Sequence, residues 1–164
     1  MELYMVRHGI AEVRGEKPDD ERALVPKGVK KTRQVAQGLA RLGCRPERVG
    51  TSPLVRADET AKIMTEVLCL DANYEVCEFL APGATASELV KWIANLEERT
   101  VMIVGHNPDF PEMAASLLTN GGGADIEFKK AAVCLISFEG EPREGGGRLL
   151  WLMQPRQLRL IGAY

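Results

Sequence analysis

A chain of 164 residues with 45% apolar and 27% charged side chains has enough apolar surface to bury a core and is not a disordered tail. Its formal net charge of -2 gives no long-range field that would hold it to nucleic acid or to an anionic membrane, so any anion site must be built locally. The apolar run from Leu3 to Val6 stops at Arg7-His8, too short for a signal peptide or a membrane span; the expectation is one cytoplasmic domain over residues 1–164, working as a monomer.

Leu3 to Val6 predicts a buried strand that opens into a loop at Arg7-His8-Gly9, and the charged stretch Glu12 to Glu21 continues that loop. From Lys27 onward, Val29, Thr32, Ala36, Leu39 and Leu42 recur at helical spacing, with Gly43 as the C-terminal cap. Arg48 to Thr51 reads as a second strand. Ser52-Pro53 has the N-cap and first-turn chemistry of a helix whose buried face is Leu54, Ala57, Ala61, Met64 and Leu68. Tyr74 to Phe79 alternates as a third strand, and Thr85-Ala86-Ser87-Glu88 has the form of a capping box ahead of Leu89, Trp92, Ile93 and Leu96.

The continuous apolar run Val101 to Val104 suits a parallel sheet buried on both faces, and Asn107-Pro108 starts a helix that ends at Asn120-Gly121. Ala131 to Phe138 and Arg148 to Met153 form a last pair of strands that turns through Gly145-Gly146-Gly147. That triple glycine and the one at Gly121 to Gly123 read as turn punctuation, not as a phosphate cradle. Strands alternating with helices predict an α/β sandwich with a largely parallel sheet. Cys44, Cys69, Cys77 and Cys134 lie far apart with no Cys-x-x-Cys pair, which favours buried free thiols over a zinc or redox motif.

The chain has two histidines, and each falls just beyond the carboxyl end of a predicted buried strand: His8 after Leu3 to Val6, His106 after Val101 to Val104. Open α/β sheets hold their ligands at that edge. Arg7 precedes His8, and Gly9 after it leaves room for a phosphoryl oxygen to approach the backbone. Arg56 falls in the first turn of the second helix, where free N–H groups and the positive end of the macrodipole favour an anion. Arginine can give a phosphate two parallel charge-assisted hydrogen bonds, which lysine cannot. None of the four cysteines has an arginine six residues on, as a cysteine-dependent phosphatase needs, and neither a Gly-x4-Gly-Lys-[Ser/Thr] nor a Gly-x-Ser-x-Gly motif is present.

Arg7-His8-Gly9, the stretch from Ser52 to Ala61, and Gly105-His106-Asn107-Pro108 occur in the order and spacing of the histidine phosphatase superfamily, which the chain resembles over most of its length. The charged loop ending in Arg22-Ala23-Leu24, Gly28, the compact length and the tail from Trp151 to Leu160 with Gln154-Pro155 resemble more narrowly the SixA-type phosphohistidine phosphatases. The resemblance implies a phosphoglycerate mutase-like three-layer sandwich with helices on both faces of the sheet and a C-terminal β-hairpin. It implies His8 as the nucleophile of a phosphohistidine intermediate, with Arg7, Arg56 and His106 holding the equatorial oxygens, Arg22 as a further phosphate-binding candidate, and no metal or cofactor. Larger members use an acidic proton donor, for which Glu78 is the nearest counterpart. Between Glu78 and His106 there is room for one helix and one strand but no capping insertion, so an open pocket suited to a phosphohistidine-bearing signalling protein is expected, with a small-molecule phosphomonoesterase or a non-catalytic phosphohistidine binder as alternatives.

Overall fold

The computed structural model describes residues 1–68, 71–119 and 123–164. The chain runs β1 (Glu2–Arg7), α1 (Pro26–Arg41), β2 (Arg48–Thr51), α2 (Val55–Val67), β3 (Asn73–Val76), α3 (Ala86–Ala94), β4 (Thr100–Gly105), α4 (Asp109–Thr119), β5 (Val133–Phe138), β6 (Gly147–Met153) and α5 (Pro155–Gly162), with short 3-10 turns at Asp19–Glu21 and Glu78–Leu80. Six strands form one sheet in the order β3-β2-β4-β1-β5-β6. The first four positions are mutually parallel, and β5 and β6 add an antiparallel hairpin at one edge.

Alternation along β1 divides the core in two. Leu3 and Met5 point to one face and pack with Leu89 and Ile93 of α3 and Phe110, Met113 and Leu117 of α4. Tyr4 and Val6 point to the other face, against Val35, Ala36 and Leu39 of α1, Ala57, Ala61 and Met64 of α2, and Leu158 of α5. Because helices cover both faces, β1 and β4 are apolar at every interior position and show no polar alternation. Each such aliphatic side chain, fully buried, stabilises the fold by about 1.5–3 kcal/mol. The result is the expected three-layer sandwich.

The differences from expectation have local causes. In α1 the buried stripe runs through Gly28, Thr32, Val35, Ala36, Gly38 and Leu39, whereas Val29 and Leu42 are exposed. Gly38 lies on this inner face because a side chain there would collide with the backbone of Leu158 in α5. The second helix begins at Val55 with Leu54 as its N-cap residue, so Ser52 does not cap it; the Ser52 hydroxyl is engaged elsewhere, as described below. The third strand stops at Val76, after which the chain tightens into the 3-10 turn. Thr85 does cap α3, accepting from the Glu88 N–H, while its own hydroxyl donates to the Glu88 carboxylate.

Helix α5 was not among the expected elements: Pro155 occupies its first turn, and Gln154 and Gln157 cap one another reciprocally. Cys44, Cys77 and Cys134 are buried free thiols, and burial pushes each up to about 12. Cys69, the expected helix end at Asn120-Gly121 and the first two glycines of Gly121 to Gly123 lie outside the described residues. Among the described residues, no helix is long and apolar enough to cross a membrane.

Candidate active site

Strands β1 and β4 are parallel neighbours in a register that sets Arg7 beside Gly105, so the residues that follow them, His8 and His106, leave the sheet side by side. The His8 N–H closes the ladder onto the Gly105 carbonyl at 3.0 Å. The two rings lie with centroids 5.2 Å apart and planes tilted by 53°.

His8 is held in one tautomer. Its Nδ1 lies 2.7 Å from the Gly9 carbonyl, which can only accept, so Nδ1 carries the proton and Nε2 the lone pair. Arg56 Nε donates to that Nε2 at 3.3 Å. Burial lowers the His8 imidazole to about 3, with the Gly9 carbonyl opposing and His106, Arg56 and Arg7 adding to the effect. His106 is lowered to about 4, again chiefly by burial, with Arg56 next. Its Nε2 is 2.7 Å from the Ser52 hydroxyl, and its buried Nδ1 has no partner within the protein.

Arg56, in the first turn of α2 as expected, is nearly fully buried. Its Nη1 donates to the Asp19 carbonyl at 2.6 Å and its Nη2 to the Asp19 carboxylate at 3.0 Å. Arg22 holds the other Asp19 oxygen at 2.8 Å and donates to the Glu12 carbonyl at 2.6 Å. Arg7 donates through Nη1 to the Phe128 carbonyl at 2.7 Å, and its buried Nε has no protein acceptor. Burial lowers both the Arg7 and the Arg56 guanidinium, with Asp19 opposing the shift at Arg56. A cleft of about 500 Å³ opens here, lined by Arg7, His8, Arg22, Arg56 and His106 together with Glu12, Arg14, Asp19, Pro82 and Lys130 among others.

Five of the residues singled out in the sequence therefore converge: Arg7, His8, Arg22, Arg56 and His106. Gly9 has a different place from the one expected. Its N–H donates to the Thr60 hydroxyl at 3.0 Å, and a side chain on it would collide with the Thr32 hydroxyl and press on Leu24. Gly9 thus permits α1 to pack close and supplies the carbonyl that orients His8, while its N–H is not offered to the cleft. Glu78 is exposed at the start of the 3-10 turn and does not line the cleft; Pro82 is what that segment contributes. Asp19 and Ser52 were missed as site residues. Asp19 sat unmarked among several acids of one charged loop, and Ser52 was assigned to helix capping. Among the described residues, no group of three or more His, Cys, Asp or Glu side chains is placed to hold a metal ion.

The chain belongs to the histidine phosphatase superfamily, whose branch 1 model matches residues 3–81, and that membership together with its similarity to SixA supports a phosphatase. Along its full length it is similar to the phosphohistidine phosphatase SixA of Escherichia coli K12, 26% identical over 99% of both chains. A solved structure of the protein histidine phosphatase SixA complexed with tungstate superposes with a TM-score of 0.85 at 25% identity, covering 96% of this chain and 99% of that one. An uncharacterised protein of Picosynechococcus sp. (strain ATCC 27264 / PCC 7002 / PR-6) is 36% identical over 81% of this chain and 82% of its own.

Proposed function

We propose that the protein removes the phosphoryl group from phosphohistidine on a protein, by way of a covalent intermediate on His8. The observation that carries the reading is the pinned tautomer of His8: with Nδ1 tied to the Gly9 carbonyl, the Nε2 lone pair faces the arginine-lined cleft and needs no deprotonation to attack. In the first step the substrate phosphohistidine, protonated on its other ring nitrogen, breaks its P–N bond as a P–Nε2 bond forms on His8, and the substrate side chain leaves as neutral imidazole. In the second, water attacks phosphorus in line, the P–Nε2 bond breaks, and inorganic phosphate leaves with the proton released to solvent. In this reading Arg7 and His106 hold the equatorial oxygens, and Arg56 Nε passes from His8 Nε2 to a phosphoryl oxygen. Donors fixed before the reaction are commonly the largest electrostatic contribution to such a step.

The acids of the cleft favour an imidazole leaving group over an alkoxide. Hydrogen bonding to Lys17 and to the Ala23 N–H holds the Glu12 carboxyl below its usual range. At Asp19 burial pushes upward, but the pairing with Arg56 and Arg22 outweighs it and the net shift is downward. Both are carboxylates at neutral pH and neither has a proton to donate. An alcohol leaving group needs one, whereas the substrate imidazole departs with much less assistance. Access agrees: only a 3-10 turn, α3 and β4 lie between Glu78 and His106, so nothing there caps the cleft. The similarity to SixA supports the same substrate class.

The test offers purified protein a phosphohistidine-bearing phosphotransfer domain beside simple phosphomonoesters. Preference for the phosphoprotein by at least tenfold in kcat/KM is expected. Preference for the monoesters overturns the substrate reading and makes the protein a small-molecule phosphomonoesterase.

A further inference from the structure

Beside the cleft lies a second pocket of about 290 Å³ between the start of α1, the start of α5 and the segment that leads into β5. Its floor is apolar, from Ile10, Ala131 and Pro155, and its rim carries Lys31, Lys129, Lys130 and Arg159. Arg7 and Lys130 line both this pocket and the cleft, so the two are adjacent. Thr32, fully buried, is also among the lining residues, and its hydroxyl has no protein partner.

The rim is poorly neutralised. Among the described residues, Lys31, Lys130 and Arg159 make no ion pair, and Lys129 reaches only the exposed Glu127, at 3.8 Å. In a protein whose formal net charge is -2, this is a local concentration of positive charge against the overall sign. The volume lies at the small end of the range of ligand pockets and has room for one large side chain.

We infer that this pocket docks the protein substrate: it takes an apolar side chain flanked by Asp or Glu residues on the partner's surface, while the phosphohistidine reaches His8 through the adjoining cleft. The inference rests on the phosphoprotein reading above and adds the surface chemistry of the partner. The apolar floor distinguishes such a partner from a nucleic acid, which would use the cations but leave the floor unfilled. Charge complementarity steers the encounter and orients the partner, and it is screened by salt.

The test uses the full chain and three versions of one synthetic peptide: Leu flanked by Glu and Asp, the same peptide with Ser in place of Leu, and one with the acids replaced by Ser. Binding of the unphosphorylated peptides is read by fluorescence anisotropy at low and at physiological salt. The acidic Leu peptide is expected to bind at least fivefold tighter than either control, with the difference shrinking as salt rises. Lys31→Glu/Lys129→Glu/Arg159→Glu should abolish the preference while hydrolysis of a small phosphomonoester stays within twofold, showing that the variant is folded. Equal binding of the three peptides, an unchanged preference in the triple variant, or tighter binding of a single-stranded oligonucleotide at the same residues would overturn the inference. Phosphohistidine versions separate this outcome from the substrate reading. If the acidic peptide docks but its phosphohistidine is not hydrolysed, the substrate reading fails and the docking surface stands; hydrolysis at equal rates from all three has the opposite meaning.

Discussion

Acidification should unfold this protein through its two histidines. Unfolded imidazoles take up a proton near pH ~6.5, whereas burial holds His106 neutral down to about 4 and His8 down to about 3. Above the unfolded value neither form binds the proton and the pair contributes nothing to the pH dependence. As pH falls below it, the unfolded chain binds two protons that the folded chain refuses, so stability drops by roughly 3 kcal/mol per pH unit between about pH 6 and pH 4. The loss ends for each histidine at its own folded value. The two losses together reach about 8 kcal/mol by pH 3. Domains of this size have about 5–15 kcal/mol in total, so a stability at the lower end of that range puts the acid midpoint between about pH 5 and pH 4, and a higher one leaves a fold that has lost about 8 kcal/mol by pH 3. Urea midpoints measured at half-unit steps of pH provide the assay, with His8→Asn and His106→Asn each expected to remove about half of the slope. A slope between pH 6 and pH 4 that is the same in wild type and both variants would refute the reasoning.

Three substitutions probe the parts separately. Arg56→Lys keeps a charge but loses the Nε donor aimed at His8 Nε2 and the double contact with Asp19, so kcat should fall on the order of 10²–10³ in steady-state assays with the fold intact by circular dichroism. Ser52→Ala leaves the buried His106 Nε2 without its partner at 2.7 Å; a loss of about 1–3 kcal/mol in urea denaturation is expected. Gly9→Ala drives a methyl group into the Thr32 hydroxyl and should destabilise by about 1–3 kcal/mol. Adding Thr32→Ala is expected to restore part of that loss, and no recovery would show that the collision is not the cause.

What the sequence disclosed follows from how local each signal was. β1 and β4 were legible because a continuous apolar run needs no tertiary partner to recognise, and β2 has the expected bounds. In α2 the helical period picked out the buried Ala57, Ala61 and Met64 but not Thr60 and Ile63 beside them. The pairing of the histidines was legible too, since each closes an apolar strand. The phase of α1 slipped at both ends because its closest contacts are made by Gly28 and Gly38, small residues that a hydrophobic pattern does not count. α5 was overlooked as a helix since Leu158 is its one fully buried side chain, although Gln154-Pro155 marked its start. The place of Asp19 across Arg22 and Arg56 depends on a loop folding back over more than thirty residues, and no local spacing encodes that. Glu78 was chosen by its position after a strand, but the tight turn that follows leaves it in solvent.

The nucleophilic role of His8 is tested most directly by trapping. Phosphohistidine domain labelled on phosphorus is mixed with excess enzyme and quenched in alkali within milliseconds, and the label is located by mass spectrometry. Acid-labile label on His8 Nε2 is predicted, absent from His8→Ala, which should also lose turnover. Turnover retained by His8→Ala, or label found on another residue, would contradict the account.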